Sequence, residues 1–216
     1  MFHLKINNTV ALALIVLFAS ATAFAQNDNS KPIQQRTGDP LAGKARSQLC
    51  QGCHGEDGNS LSTPIPKLAG QNAAYISKQV RNFQAGSRKH AIMNDLATTV
   101  NDEELADIAA YFASQNKMKG DGSADNPIGK NLFLKGDASR KIVACINCHG
   151  VNGKGVEPNP LMIPVIGGQS RDYLTRQLAN FRAGDRSNSP DGVMNEMTKS
   201  LTNTELESLA EYVSGQ

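Results

Sequence analysis

All four cysteines of the chain lie in two pentapeptides of the form Cys-x-x-Cys-His, at residues 50–54 (CQGCH) and 145–149 (CINCH). This spacing is the attachment pattern of a c-type haem, because each thiol can bond one vinyl group on the same edge of a porphyrin. The adjoining histidine then lies under the iron, where a neutral imidazole nitrogen can be the proximal ligand. The sequence therefore predicts two covalently bound haem c groups. The predicted attachment residues are Cys50, Cys53, Cys145 and Cys148.

The same cysteines could also form a thioredoxin-like dithiol, a zinc site or structural disulfides. A dithiol enzyme requires a βαβ context, and no segment of this chain shows convincing strand alternation. A four-cysteine zinc site would use both pairs and would give neither histidine a role. Haem attachment is therefore the favoured interpretation.

The first 25 residues have the features of a secretory signal peptide. Lys5 is followed by an apolar run over residues 10–18, and Ala23 and Ala25 offer small side chains for cleavage. The alternative is an uncleaved anchor, since the apolar run approaches the length of a short one. Covalent haem attachment occurs outside the cytoplasm in bacteria, so both signals predict a periplasmic location. The polar residues 26–37 are interpreted as a flexible leader.

The charge of the chain is nearly balanced, with 22 basic and 20 acidic residues and a formal net charge of +2. Lys5 is the only charged residue among the first 25, so cleavage would leave 21 basic and 20 acidic residues. This balance argues against nucleic acid or an anionic membrane surface as a partner. Aromatic residues are few and tryptophan is absent, so a small domain would need a buried porphyrin to help fill its core.

The chain contains an internal duplication. Residues 66–71 (PKLAGQ) match residues 164–169 (PVIGGQ), and Tyr75, Gln79 and Phe83 have equivalents at the same offset of 98 residues. Capping residues and helical spacing predict helices over residues 40–50, 73–83 and 102–112, and the second half repeats them. The predicted domains are residues 38–115 and 126–216, joined by a polar linker at residues 116–125.

This order of elements resembles the class I cytochrome c domain, and the tandem pair resembles the di-haem cytochrome c4 family over residues 38–215. The resemblance implies an all-α fold of two helical domains, each wrapped around one haem and packed about a pseudo-twofold axis. It also implies that the first and last helices of each domain cross. The contact positions are occupied by Gly129, Phe133, Leu209 and Tyr212 in the second half, and by Gly43, Ile108 and Tyr111 in the first. Ser47 stands where the first half should have an aromatic residue.

The resemblance further implies a methionine ligand from a loop just before the terminal helix, on the opposite face of each haem. Met93, 39 residues after His54, and Met194, 45 residues after His149, occupy paired positions in the duplication. The predicted axial ligands are therefore His54 and Met93 in the first half, and His149 and Met194 in the second. The competing methionines are Met197, which pairs with Leu96, Met162, which has no methionine partner, and Met118, which lies in the linker.

Two further assignments concern the surroundings of the iron. By resemblance, the carbonyl groups of Pro66 and Pro164 are expected to accept a hydrogen bond from the proximal imidazoles and to strengthen their donation to iron. His90 could in principle coordinate the first haem, but the second half has no equivalent histidine. An exposed loop histidine is the favoured interpretation of His90.

The expected function is that of a soluble periplasmic electron carrier, not an enzyme, working between a quinol-oxidising complex and a terminal oxidase. The alternatives are a cytochrome subunit of a periplasmic dehydrogenase and a di-haem peroxidase, which would need an open position on one iron. Redox proteins are the expected partners, and peripheral membrane association stays open. Two haems packed closely are further expected to have distinct potentials and to exchange electrons rapidly.

Overall fold

The computed structural model describes residues 1–3, 37–123, 125–159 and 161–216, and within these ranges the fold is all-α, with no β-strand. The first half contains α1 (Pro40–Arg46), α2 (Gln48–His54), α3 (Ala73–Gln84), α4 (Ala91–Ala97) and α5 (Asp102–Ser114). The second half contains α6 (Pro127–Lys135), α7 (Ile146–His149), α8 (Arg171–Ala183), α9 (Val193–Thr198) and α10 (Asn203–Ser214). Single 3₁₀ turns occur at Ala138–Arg140, Val151–Gly153 and Pro190–Gly192.

The N-terminal predictions fall largely outside this description. The proposed signal peptide and leader cover residues 1–37, of which only residues 1–3 and 37 are described. Of the described helices, none combines the length and apolar character required to cross a membrane.

Side-chain caps fix where the first and last helices of each half begin. Asp39 and Asn126 each accept a backbone N–H bond ahead of a proline in the first helical turn. Complete capping boxes open the terminal helices α5 and α10, formed by Asn101 with Glu104 and by Thr202 with Glu205. These starts confirm the expectation from sequence, and they set the entry angle of the helices that cross.

The helix predicted up to residue 50 is wrong in one respect, because the structure breaks it in two. Ser47 has backbone angles φ −90° and ψ 6°, which end α1 and allow α2 to begin one residue later. Its hydroxyl donates to the carbonyl oxygen of Lys44 at 3.1 Å, and its side chain is completely buried. The break puts the first Cys-x-x-Cys-His motif on a helix of its own.

The first and last helices of each half cross at a glycine. A Cβ atom on Gly43 would lie 2.0 Å from the carbonyl oxygen of Asp107, and one on Gly129 would lie 2.0 Å from that of Ser208. Only glycine therefore lets α1 approach α5, and α6 approach α10, at this distance.

The two crossings are otherwise stabilised by different chemistry. In the second half Phe133 packs against Tyr212, with ring centroids 5.5 Å apart. In the first half Ser47 replaces that aromatic ring, and Arg46 instead donates to the buried carboxylate of Asp107 at 2.6 Å. Asp107 also accepts from the backbone N–H of Asp39 at 2.8 Å. The aromatic contact that is missing at Ser47 is thus replaced by the ion pair between the preceding residue, Arg46, and Asp107.

The segment that joins the halves is packed against both of them. Met118 is fully buried in a cluster with Ala69 of the first half and Val165 of the second. The backbone N–H of Gly120 donates to the carbonyl oxygen of Gln216 at 2.6 Å. The polar composition of this segment predicts only a linker. The structure shows in addition that Met118 contributes to the core.

A pair of glycine substitutions tests the helix crossing. Gly129→Ala should destabilise the haem-loaded protein by about 3 kcal/mol, because the added methyl group meets backbone rather than a movable side chain. Gly52→Ala is the matched control, since a Cβ on this helical glycine has no protein atom within 4 Å. It should be neutral or stabilising by up to about 1 kcal/mol. Denaturant unfolding followed by circular dichroism measures both, and equal effects would contradict the crossing.

Candidate functional site

The histidine of each motif is held by a proline carbonyl group in the loop that follows it. The Nδ1 atom of His54 lies 2.8 Å from the carbonyl oxygen of Pro66, and that of His149 lies 3.0 Å from the carbonyl oxygen of Pro164. A carbonyl oxygen can only accept, so Nδ1 must carry the hydrogen and Nε2 keeps a bare lone pair. This arrangement orients Nε2 as a potential metal ligand.

Both imidazoles are also kept neutral. His54 and His149 are buried, and this burial lowers the pKa of each ring below its ordinary value, although the proline carbonyl works in the opposite direction. Each ring is therefore unprotonated at Nε2 at neutral pH. A neutral imidazole is the form that binds metal ions.

The two thiols of each motif lie in different environments. Cys50 and Cys145 are partly buried, which raises the pKa of both thiols, to about 11 for Cys145. Cys53 and Cys148 are exposed, and none of the four forms a disulfide. No cluster of three or more His, Cys, Asp or Glu side chains among the described residues is placed to hold a metal ion. Each motif thus presents one thiol toward the interior and one at the surface.

A cleft in the second half brings the predicted ligands of that half together. Its cavity volume is about 50 Å³, and its only lining side chains with heteroatoms are Cys145, His149 and Met194. Its apolar walls are Phe133, Ile166, Leu174, Leu178, Leu209, Ala210 and Val213. Met197 is not among the lining residues. The donor set and the apolar walls fit a covalently attached haem, with an imidazole and a thioether available to its iron.

The methionines do not lie in loops, contrary to the expectation from sequence. Met93 is in α4 and Met194 is in α9, two short helices that each precede a terminal helix. Both side chains are partly buried. His90 is exposed and caps α4, with its Nδ1 atom 3.4 Å from the backbone N–H of Met93. A short helix fixes the direction of the methionine more firmly than an irregular loop would.

Each methionine is followed by an asparagine whose role the sequence pattern did not reveal. The Nδ2 atom of Asn94 donates to the carbonyl oxygens of Phe83 and Arg88, at 2.7 and 2.9 Å. Asn195 makes the equivalent pair of bonds in the second half, at 2.7 and 2.8 Å. These bonds tie each methionine helix to the end of the preceding long helix. The repeated Met-Asn dipeptide was the available signal.

Two buried arginines between the halves were also missed. Arg88 and Arg186 are 9% and 6% exposed, and no carboxylate among the described residues forms an ion pair with either. They donate across the interface to neutral side chains: Arg88 to Tyr173 and Gln177, and Arg186 to Tyr75 and Gln79. Buried cations without a counter-charge are costly. Haem carries two carboxylates, so the charge of this cluster is compatible with the cofactor.

Comparison with known proteins gives matches over both halves. Residues 128–216 match the family model described as cytochrome c, and residues 40–112 match that of the cbb3-type cytochrome c oxidase subunit III. The chain is 39% identical to cytochrome c4 of Pseudomonas aeruginosa, covering 82% of this chain and 89% of the relative. It is 33% identical to the thiosulfate dehydrogenase electron acceptor of Stutzerimonas stutzeri, covering 94% and 90%. The crystal structure of reduced recombinant cytochrome c4 from Pseudomonas stutzeri superimposes with a TM-score of 0.77 at 36% identity, covering 82% and 98%.

The helical fold and the paired Cys-x-x-Cys-His sites define a tandem cytochrome c, with one domain in each half. The sequence and structural matches are more specific than that. The chain belongs to the di-haem cytochrome c4 family, contains two covalently bound haem c groups and functions in electron transport.

Replacing one thiol tests the attachment site of a single half. Cys148→Ser should weaken or abolish covalent attachment in the second half, because only Cys145 could still form a thioether bond. The first half should retain its haem and serve as an internal control. Because the haem completes the apolar core of its domain, the second half should also become sensitive to protease. Mass spectrometry showing two haems, each attached through two thioether bonds, on the variant would contradict the assignment.

Proposed function

We propose that this protein carries electrons in the periplasm from a quinol-oxidising complex to a terminal oxidase. The observation that supports this function is the cleft in which His149 and Met194 both line the space for one haem. An iron with two protein ligands has no open position for a substrate. The site is therefore proposed to pass electrons without performing chemistry on a substrate.

The residues of the site have distinct proposed roles. Cys50 and Cys53 hold one haem, and Cys145 and Cys148 hold the other. His54 and Met93 are the proposed axial ligands in the first half, and His149 and Met194 in the second. When bound, each haem supplies a reversible one-electron couple at its iron. The protein contributes the fixed imidazole, the thioether and the exclusion of water.

The ligand set suits a carrier on the oxidase side of a respiratory chain. Histidine–methionine ligation raises the reduction potential of haem iron, and so do apolar walls that disfavour the higher charge of the oxidised state. An iron with a raised potential can accept electrons from a quinol-oxidising complex and still reduce an oxidase.

The proposed location rests on the N-terminal sequence. Lys5 followed by an apolar run predicts export, and covalent haem attachment in bacteria takes place outside the cytoplasm.

A second candidate donor is a periplasmic dehydrogenase. The specific observation in its favour is the 33% identity to a protein named for accepting electrons from thiosulfate dehydrogenase. Both donors would deliver electrons to the same haem sites, so the alternatives differ in the partner and not in the chemistry.

Substitution of one methionine tests the ligand assignment. Met194→Ala should leave haem content unchanged and lower the potential of one haem only, because thioether ligation is lost in one half. Met197→Leu is the matched control, since this neighbouring methionine in α9 does not line the cleft. Potentiometric titration followed by visible absorbance measures both. A shift of both haems, or of neither, would overturn the separate axial methionines.

The choice of donor can be tested with the haem-loaded wild-type protein. Stopped-flow mixing with a purified quinol-oxidising complex, with a terminal oxidase and with thiosulfate dehydrogenase gives the rate of electron transfer for each partner. Rapid reduction by the first and rapid oxidation by the second are expected. Reduction by thiosulfate dehydrogenase alone would favour the second candidate instead.

A further inference from the structure

Two buried glutamines form matching contacts across the two halves. Gln71 accepts from the backbone N–H of Val165 at 2.9 Å, and its Nε2 donates to the carbonyl oxygen of the same residue at 2.7 Å. Gln169 makes the same two bonds to Lys67, both at 2.8 Å. The glutamines are 5% and 4% exposed. Each glutamine therefore hydrogen-bonds to the backbone of one residue in the opposite half. The two residues, Lys67 and Val165, occupy equivalent positions in the duplication.

Those two positions adjoin the histidine sites. The N–H of Lys67 belongs to the same peptide group as the carbonyl of Pro66, which accepts from His54. The N–H of Val165 likewise shares a peptide group with the carbonyl of Pro164, which accepts from His149. One planar peptide group thus contacts a motif histidine at its oxygen and a glutamine of the other half at its nitrogen.

We propose that Gln71 and Gln169 are positioning residues that act crosswise, each adjusting the reduction potential of the haem in the opposite half. The proposal rests on the assignment of His54 and His149 as axial ligands. Gln169 would act on the first half through Lys67 and Pro66, and Gln71 on the second through Val165 and Pro164.

The direction of the effect follows from peptide electronics. Donation of the N–H to a glutamine oxygen shifts electron density toward the carbonyl oxygen of the same group, and linked hydrogen bonds reinforce one another in this way. The carbonyl then accepts more strongly from the imidazole Nδ1–H, and the imidazole becomes a stronger donor at Nε2. A stronger donor stabilises the oxidised iron, so each glutamine lowers the potential of the opposite haem.

The glutamines are held rigidly enough to act in this way. The Oε1 atom of each also accepts from the next backbone N–H along its own chain, that of Asn72 at 3.0 Å and that of Ser170 at 2.8 Å. Gln169 has one further contact that Gln71 lacks, from Nε2 to the sulfur of Met118 at 3.3 Å. Both amides are therefore fixed from several sides, with the second more constrained than the first.

The test uses the full haem-loaded chain and a substitution that removes the amide. Gln169→Leu is expected to raise the potential of the first-half haem and to leave that of the second half unchanged. It should also move the Nδ1–H proton signal of His54 in the reduced protein, because the hydrogen bond to Pro66 weakens. Gln71→Leu is expected to do the reverse, and it tests the same relation if Gln169→Leu does not accumulate. A shift confined to the half that contains the substitution, a shift of both haems, or no shift would overturn the proposal.

Two further variants distinguish an effect on the reduction potential from a purely structural role in holding the halves together. Ser170→Ala removes two hydrogen bonds of the Ser170 hydroxyl, the cross-half bond to the carbonyl oxygen of Thr63 and the N-cap bond from the backbone N–H of Tyr173, and neither involves a histidine-bound peptide group. It should lower stability without changing either potential. Gln169→Glu keeps an oxygen acceptor for the Lys67 N–H, and a carboxylate accepts at least as strongly as an amide, so it should not move the His54 Nδ1–H signal in the direction seen for Gln169→Leu. A potential change in Ser170→Ala, or a His54 signal in Gln169→Glu like that of Gln169→Leu, would overturn the crosswise role.

The same experiments keep this proposal distinct from the assignment of the axial ligands. The weak red absorption band of a methionine–iron bond in the oxidised wild-type protein tests the methionine ligands and with them the proposed function. If that band is present and the potentials do not respond to the glutamines, only the crosswise role fails. If the band is absent, the methionine assignment fails, whereas the potentials and the His54 signal of the glutamine variants still decide the crosswise role, which acts through the histidines.

Discussion

The hydrogen bond between a motif histidine and a proline carbonyl is the interaction on which the rest of each half depends. It fixes the tautomer of the imidazole and its direction, and it also fixes the loop that runs from α2 to α3 or from α7 to α8. The apolar walls and the short methionine helix can then close on the other side of the same space. Burial keeps the ring neutral, so the bond and the burial together hold each imidazole in the form that binds metal ions.

The same loops form the centre of the contact between the halves. Backbone groups of Lys67 and Val165 lie within this contact, where water is largely excluded, and the glutamine amides supply their hydrogen-bond partners. The arginines are placed in the same symmetric manner, each reaching a tyrosine of the opposite half. Met118 fills the space beside these bonds, so the joining segment is part of the contact. The two duplicated halves thus form a unit in which the peptide group that accepts from each motif histidine is also bonded to a side chain of the other half.

The sequence was sufficient for features that are encoded locally. The haem motifs, the capping boxes at Asn101 and Thr202 and the helix starts before Pro40 and Pro127 depend on residues a few positions apart, so spacing alone reveals them. The hydrogen bonds from Gln71 and Gln169 join residues about a hundred positions apart. Sequence periodicity indicates local structure only, so it could not predict these bonds. The helices that carry the methionines were missed for another reason, because α4 and α9 are too short to show a helical pattern. The side chains of Asn94 and Asn195 hold these helices by bonding to backbone carbonyl oxygens, and such bonds leave no pattern in the sequence. The domain boundaries and the ligand roles stay predictions.

The central claim is that the two halves act as one coupled electron carrier. Stopped-flow partial reduction of the haem-loaded protein, followed at several protein concentrations, measures the redistribution of electrons between the halves. We expect a first-order phase whose rate does not depend on protein concentration and is faster than electron exchange between molecules, with two distinct potentials in a matching titration. A redistribution rate that rises in proportion to protein concentration would contradict it, and would show two independent carriers that share a chain.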